Sequence, residues 1–146
     1  MEWKKIILAA IAFAILSQIV HTLGAFADMG YYTDPAYFPL WSPLMMGAQG
    51  PPGTDFYAFS IVFSLITGTI FACMYFFMKS LFKQKTCLQR GYKFGLFLFL
   101  VNGVTGTLSM YLIFAVPAML LFSWLVQGLI TSLAFGVAIA KIEMMK

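Results

Sequence analysis

Charge is what this sequence has least of. Of its 146 residues, 10% are charged and 62% hydrophobic, where a soluble globular domain carries roughly 25% charged residues. With a mean hydropathy of +0.90, a soluble fold is excluded. Histidine is reduced to a single residue, His21, so a haem held by two histidines of one chain is excluded as well. The two cysteines, Cys73 and Cys87, are not at C-x-x-C spacing and fall near the cationic segments. A structural disulfide and a membrane thiol oxidoreductase are therefore not expected. No nucleotide-binding loop, zinc helix, Ser/His/Asp set or carboxylate pair is present. No catalytic, cofactor-binding or metal-binding residue is assigned, and the expectation is a protein that is not an enzyme.

What is abundant is long apolar sequence. It falls in four blocks, Ile6–Phe26, Phe56–Phe82, Phe94–Phe114 and Ala118–Ala140. A bilayer core of about 30 Å needs roughly 20 helical residues, and each block is long enough. Backbone groups in lipid must be satisfied internally, which unbroken apolar blocks achieve as helices. The expected fold is all-α: one polytopic membrane domain over 1–146, a four-transmembrane-helix bundle. Its helices are placed at about 4–27, 55–82, 91–115 and 117–141, with a long aromatic and proline-rich loop at 28–54 and a short loop at 83–90.

The cations are one-sided. If four spans alternate, Lys4, Lys5, Lys79, Lys83, Lys85, Arg90, Lys93, Lys141 and Lys146 share one face of the membrane, and the other carries Asp28, Asp34 and Asp55 with no cation. The positive-inside rule places both termini in the cytoplasm and the long loop outside it. The net charge of +4 therefore reports topology and contact with lipid headgroups, not nucleic acid. Lys4-Lys5, the apolar run and Ala25-Phe26-Ala27 have the parts of a secretory signal. The apolar region is longer than a signal core, so a retained signal-anchor helix is expected.

Within the spans, small and polar residues form stripes. Ala10, Ala14, Ser17, His21, Gly24 and Asp28 recur at steps of three and four on helix 1. Ser60, Ser64, Gly68 and Ala72 on helix 2, and Gly128, Ser132, Gly136 and Ala140 on helix 4, are small-xxx-small stripes suited to close helix packing. Asn102, Thr105, Gly106 and Ser109 share a face of helix 3, and Ser123, Gln127 and Thr131 a face of helix 4. The turn Ala115-Val116-Pro117 makes those two helices antiparallel neighbours. Asp55 is placed to cap helix 2. The long loop holds Pro35, Pro39, Pro43, Pro51 and Pro52 among Tyr31, Tyr32, Tyr37, Phe38 and Trp41, and ends in the turn-forming run Gln49-Gly50-Pro51-Pro52-Gly53. Such a loop lies at the headgroup level as an aromatic anchor or folds back over the bundle mouth.

Ionisable and amide side chains inside a membrane are the default candidates for function. Here they are Gln18, His21, Asn102 and Gln127, with Asp28 at the margin and Thr105 and Thr131 beside them. Asn102 and Gln127 lie near mid-membrane, placed to hydrogen-bond across helices 3 and 4 as packing glue or as part of a site. His21 and Asp28 are two turns apart on one face. They form a proton relay, or His21 is satisfied by Gln18, a loop carbonyl or the headgroup region. Met29, Met45, Met46, Met110 and Met119 lie toward the His21 end, and thioether with imidazole suits Cu(I). They lack ligand spacing, however, and Met is ordinary apolar filler.

Gly91-x-x-x-Gly95-Leu96, Pro117, Trp124, Gly128, Gly136 and Ala140, with Val20-His21-Thr22 and Tyr37-Phe38-Pro39-Leu40-Trp41, resemble small four-span bacterial proteins grouped as a domain family of unknown function. The resemblance implies a multi-pass protein of the bacterial inner membrane and brings no activity or site with it. The stripes offer more close-packing surface than one bundle needs. The expected function is thus non-enzymatic association in the lipid membrane, as a homo-oligomer or an accessory subunit of a membrane complex. The alternative is a binding or transport module for a small or hydrophobic molecule, in a polar seam of His21, Asn102, Thr105 and Gln127 beneath the loop. A metal or redox protein ranks third.

Overall fold

In a computed structural model the described residues are 2–46, 53–82 and 86–145. Helix α1 spans Trp3–Ala27; a short α2 spans Met29–Thr33 and leads into a 3-10 turn at Pro35–Leu40. Helix α3 covers Thr54–Met78, prolonged by a 3-10 turn at Lys79–Leu81. Helix α4, Cys87–Leu98, passes through a π-helical turn at Phe99–Val104 into α5, Thr105–Ile113, as one span. Helix α6 covers Ala118–Met144. Four spans are long and apolar enough to cross a membrane, and the fold is an all-α bundle of four such helices. Its two ends are called here the loop end, where α1 runs out at Asp28, and the terminal end.

The boundaries move from expectation where capping decides them. The third span starts at Cys87, not near 91, because the Thr86 hydroxyl accepts a hydrogen bond from the Gln89 N–H at 3.3 Å. Thr86-x-x-Gln89 has the residue pattern of a capping box. Helix α6 continues to Met144, which brings Glu143 into its last turn. Asp55 makes no capping hydrogen bond: α3 begins at Thr54 after Gly53, and Asp55 contributes only a favourable charge within the first turn. Lys83, Lys85 and Lys146, and residues 49–52 of the Pro-Pro run, lie outside the described residues.

Helices α1 and α6 pack together at the centre, with α3 against α1 and α4 against α6. The contiguous apolar core is confined to the terminal half: Ile6, Ala9 and Phe13 of α1, Ala72 and Tyr75 of α3, Phe94 and Leu98 of α4, and Phe135, Ile139, Ala140 and Ile142 of α6. There the ring of four helices closes through edge-on contacts of Phe94 with Tyr75 at 4.9 Å and with Phe82 at 5.6 Å. Both small-residue stripes are used inside the chain. Ser64, Gly68 and Ala72 are buried, and a methyl group on Gly68 would sit 2.8 Å from Phe13 Cβ. Gly91 and Gly95 of α4 meet Gly136 and the Ser132 carbonyl of α6 backbone to backbone. Gly128 alone of its stripe faces open space.

The loop half is built differently. The π turn adds backbone to the third span, and each extra residue turns the helix face by about 100°. In α4 the buried positions are Gly91, Phe94, Gly95 and Leu98; continued as α-helix, that face would bury Asn102, Thr105 and Ser109. From within the π turn onward those three and Gly106 are exposed, and Gly103, Val104 and Thr107 are half-buried instead. No residue of α5 is buried. The long loop folds back over the bundle as far as it is described: Trp41 lies between Tyr32, at 5.0 Å, and Trp124 of α6, at 6.1 Å. Its indole N–H donates to the Tyr31 carbonyl at 3.1 Å.

Candidate functional site

Asp28 ends α1 and is only 5% exposed. A carboxylate there meets two penalties, loss of water and the negative pole of its own helix. Helix α6 answers with side chains one turn apart. Ser123 Oγ donates to Asp28 Oδ2 at 2.9 Å, and Gln127 Nε2 donates to the same oxygen at 3.1 Å. The second Gln127 amide hydrogen goes to Ser123 Oγ at 3.1 Å, and His21 Nδ1 lies 2.9 Å from Gln127 Oε1. With the amide N–H groups turned to the carboxylate, Gln127 Oε1 accepts from His21, which makes Nδ1 the protonated nitrogen. Gly24 makes the crossing possible, because a Cβ there would fall on the Gln127 carboxamide.

This network heads a groove of about 580 Å3 between α1 and α6. The volume lies within the range of small-molecule sites, roughly 300–1,000 Å3. Val20, Leu23 and Ala27 form one wall and Met119, Phe122, Val126 and Ile130 the other, with Asp28, Ser123 and Gln127 supplying the polar side chains. From Met119 to Ile130 it descends about 16 Å along the helix. Tyr31 lines its loop end. Tyr32 stands nearby: burial holds its phenol above the usual range, the Asp28 charge adds to the rise, and the Trp124 indole offsets part of it.

Of the residues singled out from sequence, His21, Asp28 and Gln127 meet here. Gln18 turns the other way and donates to Ser60 Oγ at 2.8 Å and Ser64 Oγ at 3.3 Å, tying α1 to α3. Thr131 is buried with its hydroxyl unpartnered among the described residues. The expected Asn102–Gln127 bond does not form: Gln127 is committed to Asp28, Ser123 and His21, and the π turn has carried Asn102 to the exterior. Thr105 is exposed and bonds the Val101 carbonyl of its own helix. The polar seam is therefore carried by α1 and α6, not by the third span.

A second polar cluster, at the terminal end, had no place in the sequence-based expectation. Glu143 Oε2 accepts from Tyr75 Oη at 2.7 Å and from Arg90 Nη1 at 2.9 Å. Lys79 Nζ lies 3.5 Å from Oε1, and Lys5 Nζ donates to the Glu143 backbone carbonyl at 2.8 Å. All four spans converge on one residue. An anion in the last turn of a helix opposes the dipole and so calls for cations, which is the signal that identifies it. No family model matches the chain, and neither a curated protein nor a solved structure is significantly similar to it.

Proposed function

We propose that this protein is a non-enzymatic binding module of the bacterial inner membrane that takes a hydrophobic or amphipathic molecule into the α1/α6 groove. The observation that carries this is the placement of the buried Asp28 carboxylate, with its Ser123 and Gln127 donors, at the head of a slot that is otherwise almost wholly apolar. Ligand sites combine an apolar lining with a few convergent polar groups. The one-sided cations support an orientation with both termini in the cytoplasm and the groove head in the extracytoplasmic leaflet. Filling the slot with Val126→Trp tests the proposal. Purified wild-type protein is expected to carry bound hydrophobic adducts in native mass spectrometry, and the variant to lose them at unchanged helix content. Equal adducts on both proteins would overturn it.

Association with a second copy is the other reading, and it is favoured by the third span, not by the stripes. The Asn102 amide is exposed at bilayer depth, with Thr105, Gly106 and Ser109 on its face. The Thr105 and Ser109 hydroxyls are satisfied by backbone carbonyls of their own helix, whereas Asn102 has no side-chain partner among the described residues. An amide both donates and accepts, so two copies about a twofold axis can exchange a pair of hydrogen bonds between their Asn102 side chains. Gly106, with open space where a Cβ would be, permits close approach. Asn102→Ala is expected to weaken dimerisation about tenfold, from about 1–2 kcal/mol per interhelical amide contact in model peptides, measured by subunit exchange in mild detergent. A wild-type monomer at all accessible concentrations would remove this reading.

A further inference from the structure

The charge balance around the groove bears on what kind of molecule fits. Both donors to Asp28 go to Oδ2, so Oδ1 has none among the described residues. The three ion pairs among those residues, Lys5–Glu2, Lys79–Glu143 and Arg90–Glu143, all lie at the terminal end. Every Lys and Arg among the described residues falls near that end as well. Asp28 is therefore a buried carboxylate at the C-terminus of a helix, where a cation is the favoured neighbour, in a half-molecule whose described residues supply none. Two neutral donors relieve part of the desolvation and leave the charge unmatched. The apolar walls run directly away from it.

We propose that the groove selects amphiphiles with a cationic nitrogen. The ammonium pairs with Asp28 Oδ1, and the apolar body lies along Val20, Leu23, Val126 and Ile130. This rests on the groove being a binding site at all. Tyr31, which lines the groove head, adds an aromatic ring of the kind that attracts ammonium groups. His21 does not compete for the carboxylate, because its Nδ1 faces the carbonyl oxygen of Gln127; the histidine holds the amide in the orientation that keeps one N–H on Asp28 and the other on Ser123. A free lipophilic cation and an amine-headed membrane lipid present the same chemistry.

The test is a titration of the full chain in maltoside micelles, read through tryptophan fluorescence from Trp41 and Trp124, with three probes of equal chain length. These are dodecyltrimethylammonium, dodecyldimethylamine oxide as the uncharged analogue at neutral pH, and dodecyl sulfate. Saturable binding of the ammonium probe about tenfold or more tighter than the amine oxide is expected, the scale of one charge-assisted contact, with no saturable binding of the sulfate. Asp28→Asn should abolish the preference and keep the weaker neutral binding; Asp28→Glu should retain the preference, which guards against a folding defect. Equal affinity for the cationic and neutral probes, both lost in Val126→Trp, would overturn the charge inference and leave the groove standing. No saturable binding of any probe would overturn both. Competition by added phosphatidylethanolamine would assign the site to a lipid headgroup, and lack of competition to a free cation.

Discussion

Replacing Glu143 by Ala is expected to lower the stability of the bundle by about 3 kcal/mol, toward the low end of what removal of one partner from a buried ion pair costs. The lower figure follows from partial exposure: the Glu143 side chain is 14% and that of Arg90 23% exposed, so water recovers some of the loss. What remains is large because the substitution orphans several groups together. Arg90 already has a buried Nε without a partner among the described residues and would lose its Nη1 bond, Tyr75 is wholly buried and would lose its acceptor, and Lys79 would lose its counter-ion. Glu143→Gln keeps an acceptor for Tyr75 and is expected to lose less. Tyr75→Phe removes one hydrogen bond to a charged group, about 1.5–3 kcal/mol. Glu2→Gln, which breaks only the exposed pair with Lys5, should leave the unfolding midpoint unchanged. Equilibrium unfolding in mixed maltoside and dodecyl sulfate micelles, followed by far-UV circular dichroism, measures all four. A Glu143→Ala midpoint no lower than that of Glu2→Gln would show that the four-helix junction does not hold the terminal end.

The four spans were legible because length and hydropathy alone specify them: each apolar block is longer than the bilayer requires. The long loop announced itself through its prolines and aromatics, and Trp41 against Trp124 gives those aromatics a packing role. The terminal junction was not read, although its parts were visible. Thr86-x-x-Gln89 starts the third span a turn early and places Arg90 on a helix; Glu143 is one of only five acids in the chain and stands where the helix dipole is adverse. The failed Asn102–Gln127 pair has a different cause. Helical periodicity assumes a constant 100° step, and the π turn at Phe99–Val104 breaks that step without a distinctive composition. Asn102-Gly103 is the only local trace, with the Phe99 ring lying over the position a Gly103 Cβ would take. In the candidate site, the His21–Asp28 spacing was legible on helix 1. The contribution of α6 was visible only as a face, because which helices are neighbours is a property of the assembled bundle.

These features divide the molecule into halves held by different forces. In the terminal half, aromatic and aliphatic side chains close a four-helix ring. Toward the loop end, α1 is tied to its neighbours by side-chain hydrogen bonds from Gln18, Gln127 and Ser123, and α5 stands clear of the core. Regions with few buried apolar contacts open at the lowest free energy, so the half carrying the groove is the half that opens with least disturbance of the core.

Substitutions at Gly136 and Gly128 separate the packing that holds this frame from the surface around it. The two glycines lie on one stripe of α6, and sequence alone treats them alike. A Cβ on Gly136 would stand 2.7 Å from the Gly95 nitrogen and 2.8 Å from its Cα, with the Gly91 carbonyl oxygen closer still. All three are backbone atoms of α4 and cannot turn aside, so the helices must part along their contact. Such overpacking costs about 1–3 kcal/mol and more for larger groups, set against about 1 kcal/mol gained from replacing Gly within a helix. Gly136→Ala is therefore expected to lose up to about 2 kcal/mol and Gly136→Leu about 3 kcal/mol or more. Parting α4 from α6 also draws Arg90 away from Glu143, so Gly136→Leu combined with Glu143→Ala should lose less than the sum of the two, the mark of sites sharing one junction. Gly128→Ala meets nothing within 4 Å and is expected to be neutral or to gain up to about 1 kcal/mol. Equal midpoints for Gly136→Ala and Gly128→Ala, in the unfolding assay used for Glu143, would show that the α4/α6 contact is looser than the backbone approach requires.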